Sequence, residues 1–296
     1  MKTSLTKPIR WPAPIARLTV AAALLAAPAA SRADTLYVSS YAGNKILKYT
    51  PNGQGSVFAG TGPNPYGVAF DGAGNLFGAV TGAIQKVAPN GTVSTFATIA
   101  QPTGLAFDAA GNLYAANFYA NTIDKYTPDG NHSIFASGGI RYASGLAFDP
   151  AGNLYVASWG NNTIVKFTPG GVGSVFASTG SGRPLGLAFD SAGSLYATYN
   201  NQNTIVKFTA AGVGSVFANT GLNAPQGLAF DSAGNLYVAN YSGNSIQKFT
   251  PNGVGSVFAS GADLFGPEFI AIQIPEPSTW ALLALAFPAL LAFRRP

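Results

Sequence analysis

The 296-residue sequence has no cysteine, one histidine and one methionine, and only 9% of its residues are charged. The absence of cysteine excludes disulfides, thiol nucleophiles, iron–sulfur clusters and thiolate zinc sites. A single histidine, His132, leaves little imidazole chemistry for catalysis or metal binding. Because charge is so scarce, long disordered segments are not expected. Glycine (36 residues), proline (20) and aromatic residues (12%) are abundant instead, which predicts many tight turns between short strands.

The formal net charge of +5 comes from the two ends of the chain. Seven basic residues lie there: Lys2, Lys7, Arg10, Arg17, Arg32, Arg294 and Arg295. Residues 34–274 contain nine basic residues and ten acids, a net charge of −1. The central part therefore lacks the basic bias of a nucleic-acid-binding protein, and no nucleic-acid partner is expected.

Residues 1–33 have the order of features found in a secretory signal peptide. Basic residues up to Arg17 precede the apolar run 18–27, and Ser31 and Ala33 are the small residues of a cleavage site. This apolar run is too short to span a bilayer. The sequence therefore predicts export, with cleavage after Ala33 or Ala29.

The C-terminal segment 275–296 begins with Pro275, Glu276 and Pro277, continues with fourteen apolar residues and ends at Arg294, Arg295 and Pro296. It resembles the PEP-CTERM sorting signal. The resemblance implies an exosortase-type enzyme as a partner, transient membrane contact through the tail, and delivery to the surface or extracellular matrix of a Gram-negative bacterium, commonly alongside exopolysaccharide production. The alternative is an ordinary tail anchor.

Between these ends a motif recurs about every 40 residues. Each unit has four short segments, typified by Gly-Leu-Ala-Phe-Asp, Leu-Tyr-Val-Ala, Ile-x-Lys-Phe-Thr and Ser-Val-Phe-Ala. Large and small residues alternate in each, as in a β-strand. Four antiparallel strands at this period predict a blade of a β-propeller. The second segment occurs six times, and the chain enters the first unit at that segment, so residues 266–272 are predicted to supply its missing first strand. The expected fold is an all-β, six-bladed propeller over residues 34–274.

The Pro-x-Gly-Leu-Ala-Phe-Asp, Ala-Gly-Asn-Leu-Tyr-Val-Ala and Asn-x-Ile-x-Lys-Phe elements resemble NHL-repeat propellers. The resemblance covers essentially all of 34–274 and implies the fold, but it leaves function open because such propellers include lyases, lactonases and interaction modules. The sequence lacks the family's usual aspartate after the second strand and arginine before the isoleucine. Inter-blade salt bridges are therefore not expected at those positions.

The acidic residues do not indicate a catalytic or metal site. Five aspartates begin the same turn and are interpreted as Asx-turn residues: Asp71, Asp108, Asp149, Asp190 and Asp231. Gluconolactonase-type propellers hold a divalent cation through carboxylates and asparagine at the central channel, whereas here Asp263 and Glu268 alone remain for the binding face. His132 is expected in a solvated turn on the opposite face. No catalytic residue, metal ligand or cofactor is therefore assigned.

Two other repeated positions have structural explanations. The lysine of the third segment recurs in all six units and is interpreted as a solvated outer face. The asparagine between the second and third segments is expected in a left-handed turn, and it recurs at Asn44, Asn121, Asn162, Asn203 and Asn244.

Aromatic and polar residues cluster in the loops of the other face. The candidate ligand-binding residues are Tyr41, Tyr66, Phe118, Arg141, Tyr142, Trp159, Arg183, Tyr199, Gln226 and Tyr241. Rings, amides and guanidinium groups in loops suit stacking on, and hydrogen bonding to, sugars or peptide segments. The same rings could instead pack between blades.

These observations predict an exported surface or matrix propeller that binds an extracellular polysaccharide or a surface protein. The alternative is a metal-independent lyase or hydrolase that acts on polysaccharide at the same face.

Overall fold

The computed structural model describes residues 34–261 and 263–274, which form 24 β-strands in six four-stranded antiparallel sheets. The predicted six-bladed propeller is confirmed. No helix among these residues has the length and apolar character needed to cross a membrane. The predicted signal peptide (1–33) and sorting segment (275–296, with Pro275, Glu276, Pro277, Arg294 and Arg295) lie outside the described residues.

The strands follow one another from the central axis outward within each blade. Blade one contains β1 (Thr35–Ser40), β2 (Lys45–Tyr49) and β3 (Gly55–Gly60); blade two contains β4 (Val68–Phe70), β5 (Leu76–Val80), β6 (Ala83–Val87) and β7 (Val93–Thr98). Blade three contains β8 (Pro102–Phe107), β9 (Leu113–Asn117), β10 (Thr122–Tyr126) and β11 (His132–Ala136); blade four contains β12 (Ala143–Phe148), β13 (Leu154–Ser158), β14 (Thr163–Phe167) and β15 (Gly173–Ser178). Blade five contains β16 (Pro184–Phe189), β17 (Leu195–Tyr199), β18 (Thr204–Phe208) and β19 (Gly214–Ala218); blade six contains β20 (Pro225–Phe230), β21 (Leu236–Asn240), β22 (Ser245–Phe249) and β23 (Gly255–Ser260), and β24 (Pro267–Gln273) follows it in the chain.

The turn between the first and second strands of a blade is fixed by the repeated aspartate, as predicted. In blade three, Asp108 Oδ1 accepts hydrogen bonds from the N–H groups of Ala110 (3.0 Å) and Asn112 (2.8 Å), and its Oδ2 accepts one from the Asn112 side chain (2.8 Å). Partial burial acts to raise the pKa of Asp108, but these bonds hold it below its usual value. The aspartates therefore serve the fold rather than a ligand.

The hydrophobic core is divided into six clusters, one between each pair of neighbouring blades. An aromatic residue of the second strand lies at the centre of each cluster. Tyr155, for example, meets Phe176 of its own blade edge-on, with ring centroids 4.9 Å apart, and Phe189 of the next blade, with centroids 5.0 Å apart. Such edge-to-face pairs are favourable beyond the area they bury. The period-two alternation of each strand thus supplies the contacts that join the blades.

Close approach of backbones at the central axis requires a glycine in the innermost strands. A Cβ atom on Gly104 would collide with the carbonyl oxygen of Ser144 in the next blade, and one on Gly145 would collide with that of Leu185. Gly67 uses the same closeness to donate a hydrogen bond from its N–H group to the carbonyl oxygen of Thr103 (2.8 Å). The glycine of Pro-x-Gly therefore sets the width of the channel.

The ring is closed by β24, which pairs antiparallel with β1 and completes blade one in the order β24-β1-β2-β3. Val38 lies opposite Ile270 in this register. Ser39 Oγ accepts a hydrogen bond from the Phe269 N–H group (2.9 Å) and donates one to the carbonyl oxygen of Tyr66 in blade two (2.5 Å). Strand β24 thus completes blade one, as the sequence predicted, and Ser39 links this blade to blade two.

Deleting residues 266–274 should cause a large fall in melting temperature or aggregation. The deletion exposes the inner edge of β1 and removes a neighbour of blade six, and repeat stability depends on such interfaces. Thermal unfolding followed by circular dichroism measures the effect. Truncation after Ile274 is the control, because it leaves β24 whole and should leave the transition in place. An unchanged melting curve for the deletion would contradict the pairing of β24 with β1.

Candidate binding site at the channel mouth

Two sets of loops form the face that carries the predicted site: those between second and third strands, and those between one blade and the next. They are joined by backbone hydrogen bonds. The N–H group of Phe118, directly after β9, donates a hydrogen bond to the carbonyl oxygen of Gln101 (2.9 Å). The N–H group of Tyr41 donates one to the carbonyl oxygen of Gly266 (3.0 Å). The aromatic residues that follow the second strands are therefore held beside the loops that lead into the first strands.

The repeated asparagines fix the same loops from the neighbouring blade. All five have positive φ angles, as predicted; that of Asn121 is 57°. Asn121 Oδ1 accepts a hydrogen bond from the N–H group of Tyr142 (2.7 Å), which itself has a φ of 52°. A tyrosine in the left-handed region is uncommon and persists where surrounding contacts impose it. The Tyr142 ring is thus positioned by both its backbone and its neighbouring blade.

A cavity of about 160 Å³ opens at the centre of this face, and residues from all six blades line it. Its inner wall is formed by the variable residue of each Pro-x-Gly element, or by its equivalent: Tyr66, Thr103, Ser144, Leu185, Gln226 and Glu268. Phe118, Trp159, Asn200 and Phe269 complete the lining. Of the predicted site residues, Tyr66, Phe118, Trp159 and Gln226 are thereby brought together at the mouth of the central channel.

Two of the other predicted residues, Tyr41 and Tyr241, pack beside Tyr66 on the side of blades one, two and six. We call Tyr41, Tyr66 and Tyr241 the tyrosine cluster. The Tyr41 ring meets Tyr66 at 5.3 Å and Tyr241 at 6.0 Å between centroids, both edge-on. Burial is the main reason why the pKa values of Tyr66 and Tyr241 are raised, so both hydroxyls stay protonated.

The opposite side carries the tryptophan cluster, which we define as Phe118, Tyr142 and Trp159. Phe118 stacks on Tyr142 with centroids 5.0 Å apart and planes 19° apart, and Trp159 lies 5.9 Å from Tyr142. Arg141 covers the Tyr142 ring at 5.1 Å, and Arg183 covers Trp159 at 4.4 Å. All five residues belong to the predicted site. The three rings contact one another, and Phe118 and Trp159 also line the cavity.

Tyr199 does not share this environment. It is the last residue of β17, is 5% exposed, and packs in the core cluster between blades four and five. The residue after it, Asn200, occupies the position equivalent to Trp159 and lines the cavity. The buried Asn200 Oδ1 has no hydrogen-bond partner among the described residues, so it is an unsatisfied acceptor beside the cavity. A strict count from the start of each second strand would have selected Asn200.

Glu268 is the acid of the cavity. Its side chain is 7% exposed, and within 34–261 and 263–274 no donor or cation pairs with its carboxyl group. Burial raises the pKa of this carboxyl group from 4.5 to about 8, so the protonated form prevails at neutral pH. The sequence predicts Glu268 on this face but not among the binding residues, because nothing in the sequence distinguishes it from a strand cap.

The other acid considered for this face, Asp263, does not join Glu268. Its exposed carboxylate forms an ion pair with Lys45 Nζ at 2.6 Å. The histidine expected in a solvated turn is instead the first residue of β11, and its Nε2 atom lies 2.6 Å from Asp124 Oδ1. Neither residue lines the cavity.

The six repeated lysines also have a structural role. Each Nζ lies over the aromatic ring of the paired residue on the second strand, as Lys207 does over Tyr196 at 5.0 Å. Lys207 Nζ also lies 3.2 Å from Asp190 Oδ2. The six lysines therefore make cation–π contacts within their own blades, whereas the sequence predicted only a solvated outer face.

With the site described, the chain can be compared with known proteins. The model of the virginiamycin B lyase family matches residues 58–271, which is most of the propeller. The chain belongs to the virginiamycin B lyase family. No curated protein sequence matches it.

Solved structures show the same fold at low sequence identity. A chain of a nidogen/laminin complex is 19% identical, with a TM-score of 0.73 over 81% of this chain and 98% of that one. A catalytically inactive variant of virginiamycin B lyase from Staphylococcus aureus with quinupristin is 17% identical, with a TM-score of 0.63 over 83% of this chain and 93% of that one. A gluconolactonase from Xanthomonas campestris is 21% identical, with a TM-score of 0.63 over 70% and 79%.

A divalent cation of the gluconolactonase type does not fit the cavity. Such an ion takes six or more oxygen ligands, with carboxylates prominent among them. The lining offers one carboxyl group, Glu268, and neutral oxygens such as that of Asn200. No group of three potential metal-binding side chains occurs anywhere in the described part of the chain.

Removing divalent ions with a chelator should therefore leave the melting temperature unchanged, because no described side-chain group depends on an ion. Differential scanning calorimetry with and without EDTA measures this. If chelation lowered the melting temperature and Ca²⁺ restored it, acidic side chains would form an ion-binding site in solution that the described cavity does not provide.

Replacing Glu268 with glutamine should stabilise the protein increasingly as the pH rises from about 4.5 to 8. The folded state holds a proton that the unfolded state releases near pH 4.5, so the wild type loses stability across this window. The groups facing Glu268 are the tyrosines Tyr66 and Tyr241, which stay protonated there. One pKa unit corresponds to about 1.4 kcal/mol, so Glu268→Gln should raise the melting temperature by roughly 5–10 °C at pH 8.5.

The control for this measurement is Asp263→Asn, which removes an exposed carboxylate and should shift the melting temperature by only ~1–2 °C. Melting curves at pH 4, 6, 7 and 8.5 separate the two variants. If Glu268→Gln gave the same shift at every pH, Glu268 would be solvated or paired in solution.

Proposed function

We propose that the protein is an exported propeller of the cell surface or extracellular matrix that binds a polysaccharide at the channel mouth. The observation that carries this proposal is the cavity itself, on which aromatic rings and polar side chains from all six blades converge. Concave sites with apolar rings and a few convergent polar groups are typical of ligand binding. The variable position of Pro-x-Gly differs in every blade, so the repeat itself does not dictate which residues form the inner wall.

Export is supported by the two ends of the sequence. The order of basic, apolar and small residues in 1–33 is that of a secretory signal, and 275–296 resembles a PEP-CTERM signal. In this proposal an exosortase-type enzyme processes the tail after transient membrane contact. The propeller then reaches the surface of a Gram-negative cell, where exopolysaccharide is an abundant ligand.

A binding role is also consistent with the relatives. One similar structure belongs to a nidogen/laminin complex, a protein assembly, so a surface protein is the second class of partner to test. The similar lyase structure is a catalytically inactive variant in which a histidine is replaced by alanine. The histidine of this chain, His132, contacts Asp124 in the outer part of blade three rather than the cavity.

The alternative function is a metal-independent lyase or hydrolase that acts on polysaccharide at the same cavity. Family membership and the perturbed carboxyl group of Glu268 favour it. General acid–base catalysis needs a second titratable group near the substrate. Tyr66 is the candidate in the lining, but its raised pKa disfavours it as a base. A binding function therefore fits the groups better.

Trp159→Ala should weaken binding of a surface polysaccharide roughly 5- to 150-fold, because a stacked ring commonly contributes about 1–3 kcal/mol. In residues 34–274 Trp159 is the single tryptophan, so its fluorescence reports ligand at this site directly. Titration of exopolysaccharide fractions, followed by fluorescence and by calorimetry, measures the affinity.

The control is Phe189→Ala, which removes a ring from the core between blades four and five. This variant should lose stability but keep its affinity per folded molecule. If Trp159→Ala unfolds while its folded fraction binds as the wild type does, the tryptophan cluster is packing alone and the proposed site is wrong. Cleavage of the polymer that Glu268→Gln abolishes would establish the enzymatic alternative instead.

A further inference from the structure

Both arginines of residues 34–274 lie at the channel mouth. Arg141 is in the loop that enters blade four, and Arg183 is in the loop that enters blade five. Both side chains are exposed, and each guanidinium group is held over a ring of the tryptophan cluster, at 5.1 Å and 4.4 Å. Stacking leaves the N–H groups at the edge of a guanidinium free to donate hydrogen bonds.

Neither arginine is paired with an acid in the part of the chain that the structure describes. The lysines behave differently. Lys45 pairs with Asp263 at 2.6 Å, and four repeated lysines lie within 3.9 Å of the turn aspartate of their own blade. Residues 34–274 contain ten acids and nine basic residues, so enough acids are present to pair with both arginines.

The acid that lines the cavity, Glu268, does not neutralise this charge. It is buried in the cavity, and burial raises its pKa to about 8, so it carries a proton at neutral pH. The channel mouth therefore has two unpaired positive charges on a domain whose net charge is −1. Such a local excess of positive charge attracts an anion, most strongly at low salt.

We propose that the channel mouth is specific for an acidic polysaccharide, with Arg141 and Arg183 binding carboxylates of the sugar chain beside the tryptophan cluster. The arginine fork matches the two oxygens of a carboxylate, and the rings offer apolar edges to the sugar. The Glu268 carboxyl group, which lines the cavity, is left for hydroxyl groups. This inference rests on the proposed function and adds the ligand's charge to it.

The test compares two forms of one polymer on the full chain at pH 6: polygalacturonate and the same polymer with its carboxylates methyl-esterified. The free acid should bind about 10-fold or more tightly than the ester. Arg141→Gln and Arg183→Gln should each weaken binding of the acid roughly 5- to 10-fold, since a hydrogen bond to a charged group is worth about 1.5 kcal/mol or slightly less when exposed. Both variants should weaken binding of the ester much less than binding of the acid, because the ester has no carboxylate for the arginines to bind.

Lys48→Gln is the matched control, because Lys48 carries the same charge on the outer part of blade one, over Tyr37. It should bind as the wild type does. Equal binding of acid and ester, or an equal loss in Lys48→Gln, would overturn the inference while leaving polysaccharide binding intact. A different result would contradict the proposed function itself: neither polymer binds, and Trp159→Ala changes the binding of no surface polymer.

Single-stranded DNA is the third arm of the test, because stacking rings beside arginines also suit nucleic acid. Oligothymidylate of matched charge should bind more weakly than polygalacturonate at the same salt concentration. Tighter binding of the DNA, lost in the arginine variants, would assign the site to nucleic acid and overturn the inference.

Discussion

The structure depends on one repeated contact, the aromatic residue of each second strand wedged between a phenylalanine of its own blade and one of the next. Tyr155 with Phe176 and Phe189 is the pattern, and it recurs with centroid distances near 5 Å in the first five blades. Each wedge buries apolar area that no single blade can bury alone. The blades are therefore stable as a ring rather than as units.

This contact also explains why the fold could be predicted from the sequence. The ring of Tyr155, the lysine opposite it and the aspartate of the preceding turn are all set by short local motifs with a fixed spacing. Their repetition gave the number of blades, and the missing first strand of blade one gave the closure by β24. The local motifs and the overall architecture agree, so the fold of such a repeat protein can be predicted from its sequence.

The site was harder to predict because it uses the positions that the repeat leaves variable. Counting along the loops selected Tyr199, although a shift of one residue in a strand moves a side chain from one face to the other, and Asn200 is the residue at the cavity. Thr103, Ser144 and Leu185 gave no chemical signal in the sequence. Their importance arises from the six-fold arrangement, which brings one variable residue of each blade to a common axis.

Blade one shows how closure and site are linked. In blades two to six a glycine follows the variable residue and lets neighbouring backbones approach, but in β24 the equivalent residue is Phe269. Its side chain packs between blades one and two, and the hydroxyl of Ser39 bridges the gap to Tyr66. The preceding residue is Glu268, the buried acid of the cavity. Strand β24 joins the ring from a segment far along the chain from β1, and it departs from the repeat at this position. That departure places an uncommon carboxyl group on an otherwise neutral inner wall.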